Sequence, residues 1–465
     1  MSIQNQTQSG ALSVGMGPLS PHQKNPRYFA DGEGKPVYLT GSHTWGNLQD
    51  FGSGDPPPVF DWDGYLDLLQ DLNHNFIRMW NWEQACWAPW TRKDLRFQPL
   101  PYQRTGPGEA LDGKPKFDLE YFDEAYFRRL RQRVESARAR GMYVGIMLFQ
   151  GWSSMRMDHG EKKNPLPGNP WAGHPFNRNN NINGIDGDTN EDDEGEEVHR
   201  LVVPEVTRLQ EAYVRQVVDT VNDLDNVLYE IGNEIEPKSC DWQYHMIRYV
   251  QDYERQKPLQ HPVGMTSFYG ASREYARWIF ESPADWISPP RVGQHYPYGT
   301  DPPEADGQKV VLLDTDHIFA VGGDAVWVWK AFCRGYNPIY MDPLDDPTGE
   351  HWVNDTVRAS ILSARPALGQ TRRFSERIDL SIATPRRDVS STKYALVSPG
   401  ETYLVLQPDS GRFTLDLGDT EQEFRGMWFD PIGEVDHPGT RLAGGTQHMV
   451  EPPFEGPAVL HLTRV

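Results

Sequence analysis

The sequence predicts an α/β protein in which a (β/α)8 barrel, the TIM-barrel fold, is followed by a small antiparallel β-sandwich domain. Eight short apolar runs alternate with amphipathic stretches of helical period between residues 36 and 367, as expected for parallel strands connected by helices. Eight such units over about 340 residues favour a barrel over an open doubly wound sheet. After residue 372, short alternating runs separated by turn clusters indicate the sandwich.

The predicted barrel strands are short and bounded by polar or turn residues. In chain order they are Pro36–Thr40, Asn75–Met79, Met142–Phe149, Asn226–Ile231, Pro262–Thr266, Trp286–Ser288, Val310–Leu313 and Pro338–Met341. The predicted helices are Asp61–Leu72, Glu120–Arg140, Val206–Leu224, Trp242–Gln256, Ser272–Phe280, Ala325–Cys333 and Val353–Ala367. Only a loop separates the sixth strand from the seventh, so one helix is missing or reduced. No GxGxxG or GxxxxGK[ST] motif follows a strand, which excludes nucleotide-binding folds.

The predicted domain organisation has three parts. Residues 1–25 form a polar N-terminal tail, residues 26–372 the barrel and residues 373–465 the sandwich. An insertion, residues 155–200, separates the third barrel strand from the next helix. Its acidic stretch, residues 186–197, begins like a calcium loop but has Glu where that loop requires Gly. A solvated loop or a lid over the barrel mouth is the preferred interpretation. The predicted sandwich strands are Tyr394–Val397, Tyr403–Gln407, Arg412–Leu417, Gly426–Asp430 and Ala458–Thr463.

The charge balance restricts the class of partner. The chain has 45 Lys and Arg against 66 Asp and Glu, a net charge of −21, which repels phosphate backbones and anionic lipid. We therefore expect no nucleic-acid and no membrane partner, and no apolar run reaches the roughly 18 residues of a membrane helix. The 15 Trp, 20 Tyr and 19 Phe are either core residues or platforms for the flat apolar faces of sugars.

Cysteine usage and the N-terminus indicate the compartment. Cys86, Cys240 and Cys333 are widely spaced and form neither a disulfide framework nor a zinc motif. The N-terminal residues have no basic region followed by an apolar one. We expect a cytoplasmic protein, or a secreted one if a native signal has been removed.

The C-terminal ends of barrel strands and the loops after them build the active site in this fold. Two carboxylates on opposite sides of the mouth, surrounded by Trp, His and Arg, are what glycoside hydrolysis requires. The polar and aromatic residues at the predicted strand ends are His43, Trp45, Arg78, Trp80, Trp82, Gln150, Trp152, Asn233, Glu234, His295, Tyr296, Asp314, Asp316, His317 and Asp342.

The sharpest motif is Tyr-Glu-Ile-Gly-Asn-Glu-Ile at residues 229–235, a strand that ends in Gly-Asn-Glu. Alone, an Asn-Glu pair is more often the start of a helix. At the end of the fourth strand of a barrel it becomes a strong candidate for a general acid, because burial or a nearby negative charge there raises the pKa of a carboxyl group.

With this motif the sequence resembles glycoside hydrolase clan A, the cellulase-type (β/α)8 retaining enzymes. More narrowly, Arg-Tyr-Phe-Ala-Asp-Gly at residues 27–32 and Gly-Lys-Pro-Val-Tyr-Leu at residues 34–39 resemble the opening of apiosidase-like barrels. Met-Trp-Phe-Asp-Pro at residues 427–431 is similar to the core strand of the β-domain of collagen-binding type that follows those barrels. The resemblance covers nearly all of the chain beyond residue 25.

The resemblance implies a hydrolase acting on an oligosaccharide or glycoside, without cofactor or metal. It places the acid/base on Glu234 and a sugar-binding amide on Asn233. It makes Arg78 the strand-two residue that holds the nucleophile. Strand seven departs from the clan pattern, which has Glu there, because this chain offers Asp314 and Asp316. Alignment with an Asp-x-Glu pattern favours Asp316.

Further substrate-binding residues are implied by position. If strand seven continues through residue 316, the alternation of side chains points both of its aspartates the same way. His295 and Tyr296 match the clan only loosely. The other candidate substrate contacts are His43, His317 and the sugar platforms Trp45, Trp80, Trp82, Trp152 and Trp329.

Two rival interpretations remain open from sequence. A metal-dependent hydrolase on the same barrel would need a His-x-His at the end of strand one, where the chain has a single His. Its candidate ligands are the strand-seven aspartates with His43, His159, His174, His295 and His317. A non-catalytic carbohydrate-binding barrel is favoured by the missing strand-seven Glu. Sugar, linkage, stereochemistry and oligomeric state stay open.

Overall fold

A computed structural model describes residues 17–155, 168–270, 272–291, 298–344 and 353–465. Its centre is one sheet of eight parallel strands. We label them in chain order β1 (Gly41–His43), β2 (Phe76–Met79), β3 (Tyr143–Gln150), β4 (Val227–Asn233), β5 (Val263–Met265), β6 (Trp286–Ile287), β7 (Val310–Asp314) and β8 (Asn337–Met341).

The sheet curves into a barrel. Each strand from β2 to β8 pairs with its neighbour in chain order, and β8 also pairs with β1. The barrel closes where β1 meets β2, since a Cβ atom on Gly41 would lie 2.2 Å from the carbonyl oxygen of Phe76. Only glycine allows this approach. The predicted fold class, a TIM barrel followed by antiparallel β-sheets, is confirmed.

The first barrel strand does not lie where the sequence predicts it. Residues Pro36–Val37 pair antiparallel with Phe29–Ala30, which in turn pair with Ser20–Pro21. The barrel strand β1 follows at residues 41–43, whose sequence is Gly-Ser-His. The predicted strand, residues 36–40, is wrong because the barrel strand itself carries no large apolar side chain that would mark it in the sequence.

Helices cover the outside of the barrel. They are α1 (Trp62–Asp71), α2 (Glu124–Ala139), α3 (Pro204–Val221), α4 (Cys240–Glu254), α5 (Arg273–Glu281), α6 (Asp316–Phe319), α7 (Ala325–Cys333) and α8 (Asp355–Ser375). The described residues between β6 and β7 contain no helix, as the sequence predicts. Within the described ranges no helix has the length and apolarity needed to cross a lipid bilayer.

The barrel interior is layered. Inward side chains of several strands, with Leu19, Phe29 and Leu39, form an apolar floor that includes Phe76, Leu228, Leu312 and Ile339. Because side chains alternate along a strand, the next inward residues on β2, β4 and β7 are Arg78, Glu230 and Asp314. Charged groups therefore lie directly above an apolar floor.

Two small antiparallel sheets, built from the segments that follow β1 and β2, border the mouth of the barrel. The sequence did not predict them. Asp50–Ser53, Thr91–Gln98 and Cys86–Ala88 form a three-stranded sheet, and Tyr102–Glu109 pairs with Pro115–Phe122. The predicted helix at Glu120 consequently begins too early. The last hairpin strand runs to Phe122, and α2 starts only after Asp123, whose carboxylate accepts from the N–H of Ala125.

The C-terminal region is antiparallel throughout. A six-stranded sheet contains, in spatial order, Thr384–Pro385, Ala395–Ser398, Thr402–Gln407, Ala458–Arg464, Glu423–Asp430 and Val435–Ala443. A two-stranded sheet pairs Phe413–Asp416 with Gln447–Val450. All five predicted strands are present. The sequence missed two longer strands: Val435–Ala443, which is mostly exposed, and Gln447–Val450, which is half exposed.

The sandwich packs against the barrel through an aromatic contact. The rings of Trp329 on α7 and Phe374 on α8 lie 5.2 Å apart, and Phe429 of the sandwich lies 5.2 Å from Phe374. The Gln370 amide joins the two parts by donating to the carbonyl of Pro431 at 3.1 Å. Trp329 is fully buried here, so its prediction as a sugar platform is wrong.

This interface predicts the result of a truncation. Deleting residues 376–465 uncovers the apolar face around Trp329 and Phe374, and an apolar patch of that kind drives aggregation. We expect the shortened chain to be insoluble when expressed, as measured by the soluble fraction. A soluble, monomeric barrel with an unchanged thermal transition would show that the sandwich is an independent module.

Candidate active site

One buried arginine organises the mouth of the barrel. Arg78 on β2 is 1% exposed. Its Nε and Nη2 donate to the two carboxylate oxygens of Glu230 at 2.7 and 2.6 Å. Nη1 donates to Asp314 at 3.2 Å and to Asp316 at 2.9 Å, while Nη2 also donates to Asn233 at 2.6 Å. All five N–H groups of the guanidinium are thus engaged.

Asp314, the last residue of β7, is completely buried. Its carboxylate accepts from Arg78, from His43 Nε2 at 2.9 Å and from the backbone N–H of Asp316 at 2.9 Å. Trp80 Nε1 donates to His43 Nδ1 at 2.8 Å, which leaves the His43 proton on Nε2. Burial raises the pKa of Asp314, but His43 and then Arg78 outweigh it and hold that pKa well below its usual range.

Asp316 does not continue the strand. β7 ends at Asp314, one residue beyond its predicted end, and Asp316 is the first residue of α6, so strand alternation does not align the two aspartates. The turn nevertheless brings both aspartates to the same guanidinium nitrogen. The side chain of Asp316 remains 10% exposed. Burial raises its pKa to about 6, with Arg78 opposing this and the charge of Asp314 adding to it.

Glu234 follows β4 with a positive φ of 44°, a strained conformation that is often found at functional sites. The turn carries its carboxylate out of the strand, where Trp152 Nε1 donates to it at 2.6 Å. Burial raises the pKa of Glu234 to about 8, the negative charge of Asp316 adds to this, and the Trp152 hydrogen bond opposes it.

His317 and Asn233 form a neutral support under these carboxylates. His317 Nε2 lies 3.0 Å from Asn233 Oδ1, and its Nδ1 lies 2.8 Å from the Ser288 hydroxyl. Burial and then the charge of Arg78 lower the pKa of His317 to about 3, so it is uncharged at neutral pH. The Asn233 amide donates to Gln150 at 3.2 Å. Asn233 is therefore committed to the protein, and it lies below the cavity rather than in its lining.

Glu234 and Asp316 open into the same cavity, whose volume is about 250 Å³. Its other described walls are mainly aromatic or aliphatic: Trp45, Trp80, Trp82, Trp90, Trp152, Tyr269, Gly270, Ala320, Val321 and Met341. A larger cleft of about 650 Å³ between α1 and α8 has one carboxylate, Asp61, in its lining and no pair of them. Another cavity of about 470 Å³ contains Asp112 and Asp123, but Arg104 pairs with Asp112 and Asp123 caps a helix. We regard the cavity of Glu234 and Asp316 as the candidate functional one, because it joins two carboxyl groups to a wall of indole rings.

The structure brings most of the predicted site residues together. Among the predicted platforms, Trp45, Trp80, Trp82 and Trp152 line the cavity. Asp342 instead pairs with Arg365 at 2.5 Å, away from that lining. His174 contacts Glu83 below the insertion, at 3.6 Å. His159, His295 and Tyr296 lie outside the described residues.

Three residues of the site were not expected from the sequence. Glu230 is completely buried, and its signal was a lone glutamate in the middle of an apolar strand, which requires a buried partner. Trp90 lies just before the unpredicted strand Thr91–Gln98, and Tyr269 follows β5 in a loop. Neither residue lies at the end of a predicted strand, where the side chains of a barrel mouth are expected.

The arrangement does not fit a metal centre. One ligand atom each from Asp314, Asp316 and His317 lies within 4.8 Å of the others. Arg78 Nη1, however, contacts both of these carboxylates, and His317 Nε2 faces Asn233. A divalent cation there would lie against a guanidinium that already supplies the positive charge.

Comparisons with known proteins agree with the fold. Residues 70–268 match a family model described as a domain of unknown function, DUF6298. No curated protein sequence matches the chain. One solved structure, titled a glycoside hydrolase, is 12% identical with a TM-score of 0.61 and alignment over 96% of this chain and 97% of that one. A glycoside hydrolase family 5 structure from Bacteroides vulgatus ATCC 8482 is 13% identical, with a TM-score of 0.62 and coverage of 96% and 93%.

At these identities the likeness establishes a shared fold. The chain shares the fold of these glycoside hydrolase structures over nearly its whole length, so the resemblance in fold that the sequence indicated is confirmed.

The electrostatics of Arg78 predict a stability change. Arg78→Met keeps a side chain of similar reach but leaves three buried carboxylates without a counter-charge. We expect the free energy of unfolding at pH 7 to fall by about 3–5 kcal/mol, measured by urea denaturation. The loss should shrink as the pH falls towards 4, because the variant's uncompensated carboxyl groups have raised pKa values and become neutral.

The control for this variant is Arg131→Met, which removes an exposed ion pair with Asp223. That change should cost less than about 1 kcal/mol at any pH. An equally small effect of Arg78→Met would contradict the account of Arg78 as the counter-charge of the site.

Proposed function

We propose that the protein is a glycoside hydrolase in which Glu234 is the acid/base and Asp316 is the nucleophile of a retaining reaction. The observation that carries the proposal is the pair of carboxyl groups in one cavity with separated pKa values, about 8 for Glu234 and about 6 for Asp316. At neutral pH the first holds a proton and the second is ionised. That division of roles is what two-carboxylate hydrolysis of a glycoside needs.

Asp316 rather than Asp314 is the better nucleophile on geometric grounds. Asp314 is completely buried and already accepts three hydrogen bonds, from Arg78, His43 and the Asp316 backbone. Asp316 has a single ion-pair contact with Arg78 within 3 Å and faces the cavity. A nucleophile needs a free lone pair directed at the reacting carbon.

The proposed reaction has two steps. Glu234 gives its proton to the glycosidic oxygen while an Asp316 oxygen attacks the anomeric carbon, so the leaving alcohol departs and a glycosyl ester forms. Glu234, now ionised, removes a proton from water, which attacks the anomeric carbon and releases Asp316. The indole faces that line the cavity suit the apolar faces of a sugar ring. The substrate class is therefore an oligosaccharide or other glycoside.

A non-catalytic carbohydrate-binding barrel is the second candidate. The shorter aspartate in place of a strand-seven Glu favours it. Against it stands the burial of two carboxyl groups in one cavity, an arrangement that costs stability and that sugar binding alone does not need.

The first prediction here concerns pH. Turnover requires Asp316 ionised and Glu234 protonated, so kcat/KM should rise through pH 6, fall through pH 8 and peak near pH 7. Initial rates on a cleaved aryl glycoside across pH 4–10 give this profile. A rate that keeps rising above pH 9 would contradict a protonated Glu234.

The second concerns the acid. Glu234→Gln should leave the fold intact and reduce hydrolysis of alkyl glycosides about 10²–10⁴-fold. Hydrolysis of dinitrophenyl glycosides should fall far less in its first step, because that leaving group needs no proton. Paired rate measurements on the two substrates test this, and an equal loss on both would count against Glu234.

The third concerns the nucleophile. Asp316→Gly should lose turnover, and azide should restore it by forming a glycosyl azide of inverted configuration, identified by NMR. As the matched variant, Glu234→Gly with azide should give a glycosyl azide of retained configuration, since azide then replaces water in the second step. Wild-type activity in Asp316→Gly would move the assignment to Asp314.

A further inference from the structure

The barrel mouth contains two carboxylates beyond the pair that hydrolysis uses, Asp314 and Glu230. Glu230 lies on β4, four residues before Glu234, with its side chain inside the barrel and no exposed surface. It does not line the cavity and touches no space where a substrate could bind. A buried carboxylate with no substrate contact costs stability unless it is paired, so its place in this site calls for a physical reason.

Glu230 fixes the orientation of the guanidinium. Its two oxygens accept from Nε and Nη2 of Arg78 at 2.7 and 2.6 Å, the parallel two-bond geometry that gives an arginine a defined plane. This directs Nη1 at Asp314 and Asp316. The Thr266 hydroxyl, just after β5, lies 3.4 Å from the same carboxylate and donates to the carbonyl of Gly232 at 2.8 Å.

Glu230 also decides the charge of the buried group. Glu230 holds the guanidinium of Arg78. The other charged or titratable described residues around that guanidinium are His43, Asp314, Asp316, His317 and Glu234. His317 is neutral. Arg78 supplies one positive charge against the carboxylates of Glu230 and Asp314. Glu230 therefore takes up part of the positive charge that Arg78 presents to Asp314 and Asp316.

We propose that Glu230 is a positioning residue for the proposed reaction, which both aims Arg78 at Asp316 and sets the negative charge that Asp316 and Glu234 meet when they ionise. The inference rests on the proposed function for its role in catalysis. With Glu230 present, the charge of Arg78 is shared and does not fully neutralise the carboxylates of the site. The Asp316 carboxylate is then only weakly stabilised and can attack the anomeric carbon. Without it, the guanidinium would hold Asp316 as a plain ion pair.

The test separates charge from shape. Glu230→Gln keeps the size of the side chain and removes its charge, so both midpoints of the kcat/KM profile should move down by about one pH unit. Glu230→Asp keeps the charge but shortens the reach to Arg78, so kcat should fall about tenfold with the midpoints within about 0.3 unit of wild type. These midpoints belong to the coupled pair rather than to either residue alone.

The matched control is Glu254→Gln at the other end of the barrel. Glu254 is also buried, and it holds Asn222 at 2.9 Å and His261 at 2.7 Å. Its loss should lower the thermal midpoint without moving the pH profile. Unchanged pH midpoints in Glu230→Gln would overturn the proposal and leave Glu230 a structural residue. Should that variant not fold, displaced midpoints in Glu230→Asp would overturn it equally.

A second readout needs no substrate. Carboxyl ¹³C NMR titrations, assigned by subtraction with Glu234→Gln and Asp316→Asn, report the ionisation of the two cavity groups directly. The expected result is the same downward displacement of both titrations in Glu230→Gln. If that displacement occurs while no glycoside is hydrolysed, the electrostatic role stands and the proposed function fails. If glycosides are hydrolysed while the titrations stay unchanged, the electrostatic role fails and the proposed function stands.

Discussion

The site depends on a single guanidinium that is shared by three carboxylates inside a closed barrel. Arg78 is almost inaccessible to water, so its charge must be met by protein groups, and its five N–H groups reach Glu230, Asp314, Asp316 and Asn233. Each strand that supplies one of these groups is fixed in register by the sheet. The barrel therefore positions the charges, and the charges in turn restrict what can lie above them.

The same sharing explains why two similar carboxyl groups differ in ionisation. Asp314 accepts from His43, Arg78 and the Asp316 backbone, and its pKa is held well below its usual range. Burial raises the pKa of Asp316, and the contact with Arg78 opposes that rise. Burial and the negative charge of Asp316 raise the pKa of Glu234 further. Contact with one cation thus helps to separate a candidate nucleophile from a candidate acid.

The sequence predicted the helices and strands that have a periodic pattern of apolar residues. Seven of the eight barrel strands lie within a few residues of their expected positions, and all seven predicted helices begin within four residues of them, because large apolar side chains mark the buried faces. The last helix continues to Ser375, eight residues beyond its predicted end. β1 was not predicted because its sequence, Gly-Ser-His, has no large apolar residue. It closes the barrel through the close approach of Gly41 to Phe76, which the sequence does not reveal. The hairpins between residues 86 and 122 escaped because their polar, half-exposed strands look like loop sequence.

Position along the strands predicted which residues belong to the candidate site. It did not predict the hydrogen bonds and ion pairs that connect them. Glu234 and Asp316 were named from strand order and from a resemblance. That β7 ends at Asp314, and that Asp316 starts a helix yet returns to the same arginine, depends on a turn that no local pattern specifies. The partner of Glu230 lies 152 positions away in sequence, beyond any pairing that spacing alone reveals.

The most direct test of the central claim is to locate a trapped glycosyl ester. A panel of 2-deoxy-2-fluoroglycosyl fluorides, whose fluorine slows the second step, should inactivate the protein with one added sugar per chain by intact mass. Peptide mapping should then place that sugar on Asp316. A label on Asp314, or full turnover of ordinary glycosides with no ester trapped by any member of the panel, would contradict the division of roles that Arg78 imposes.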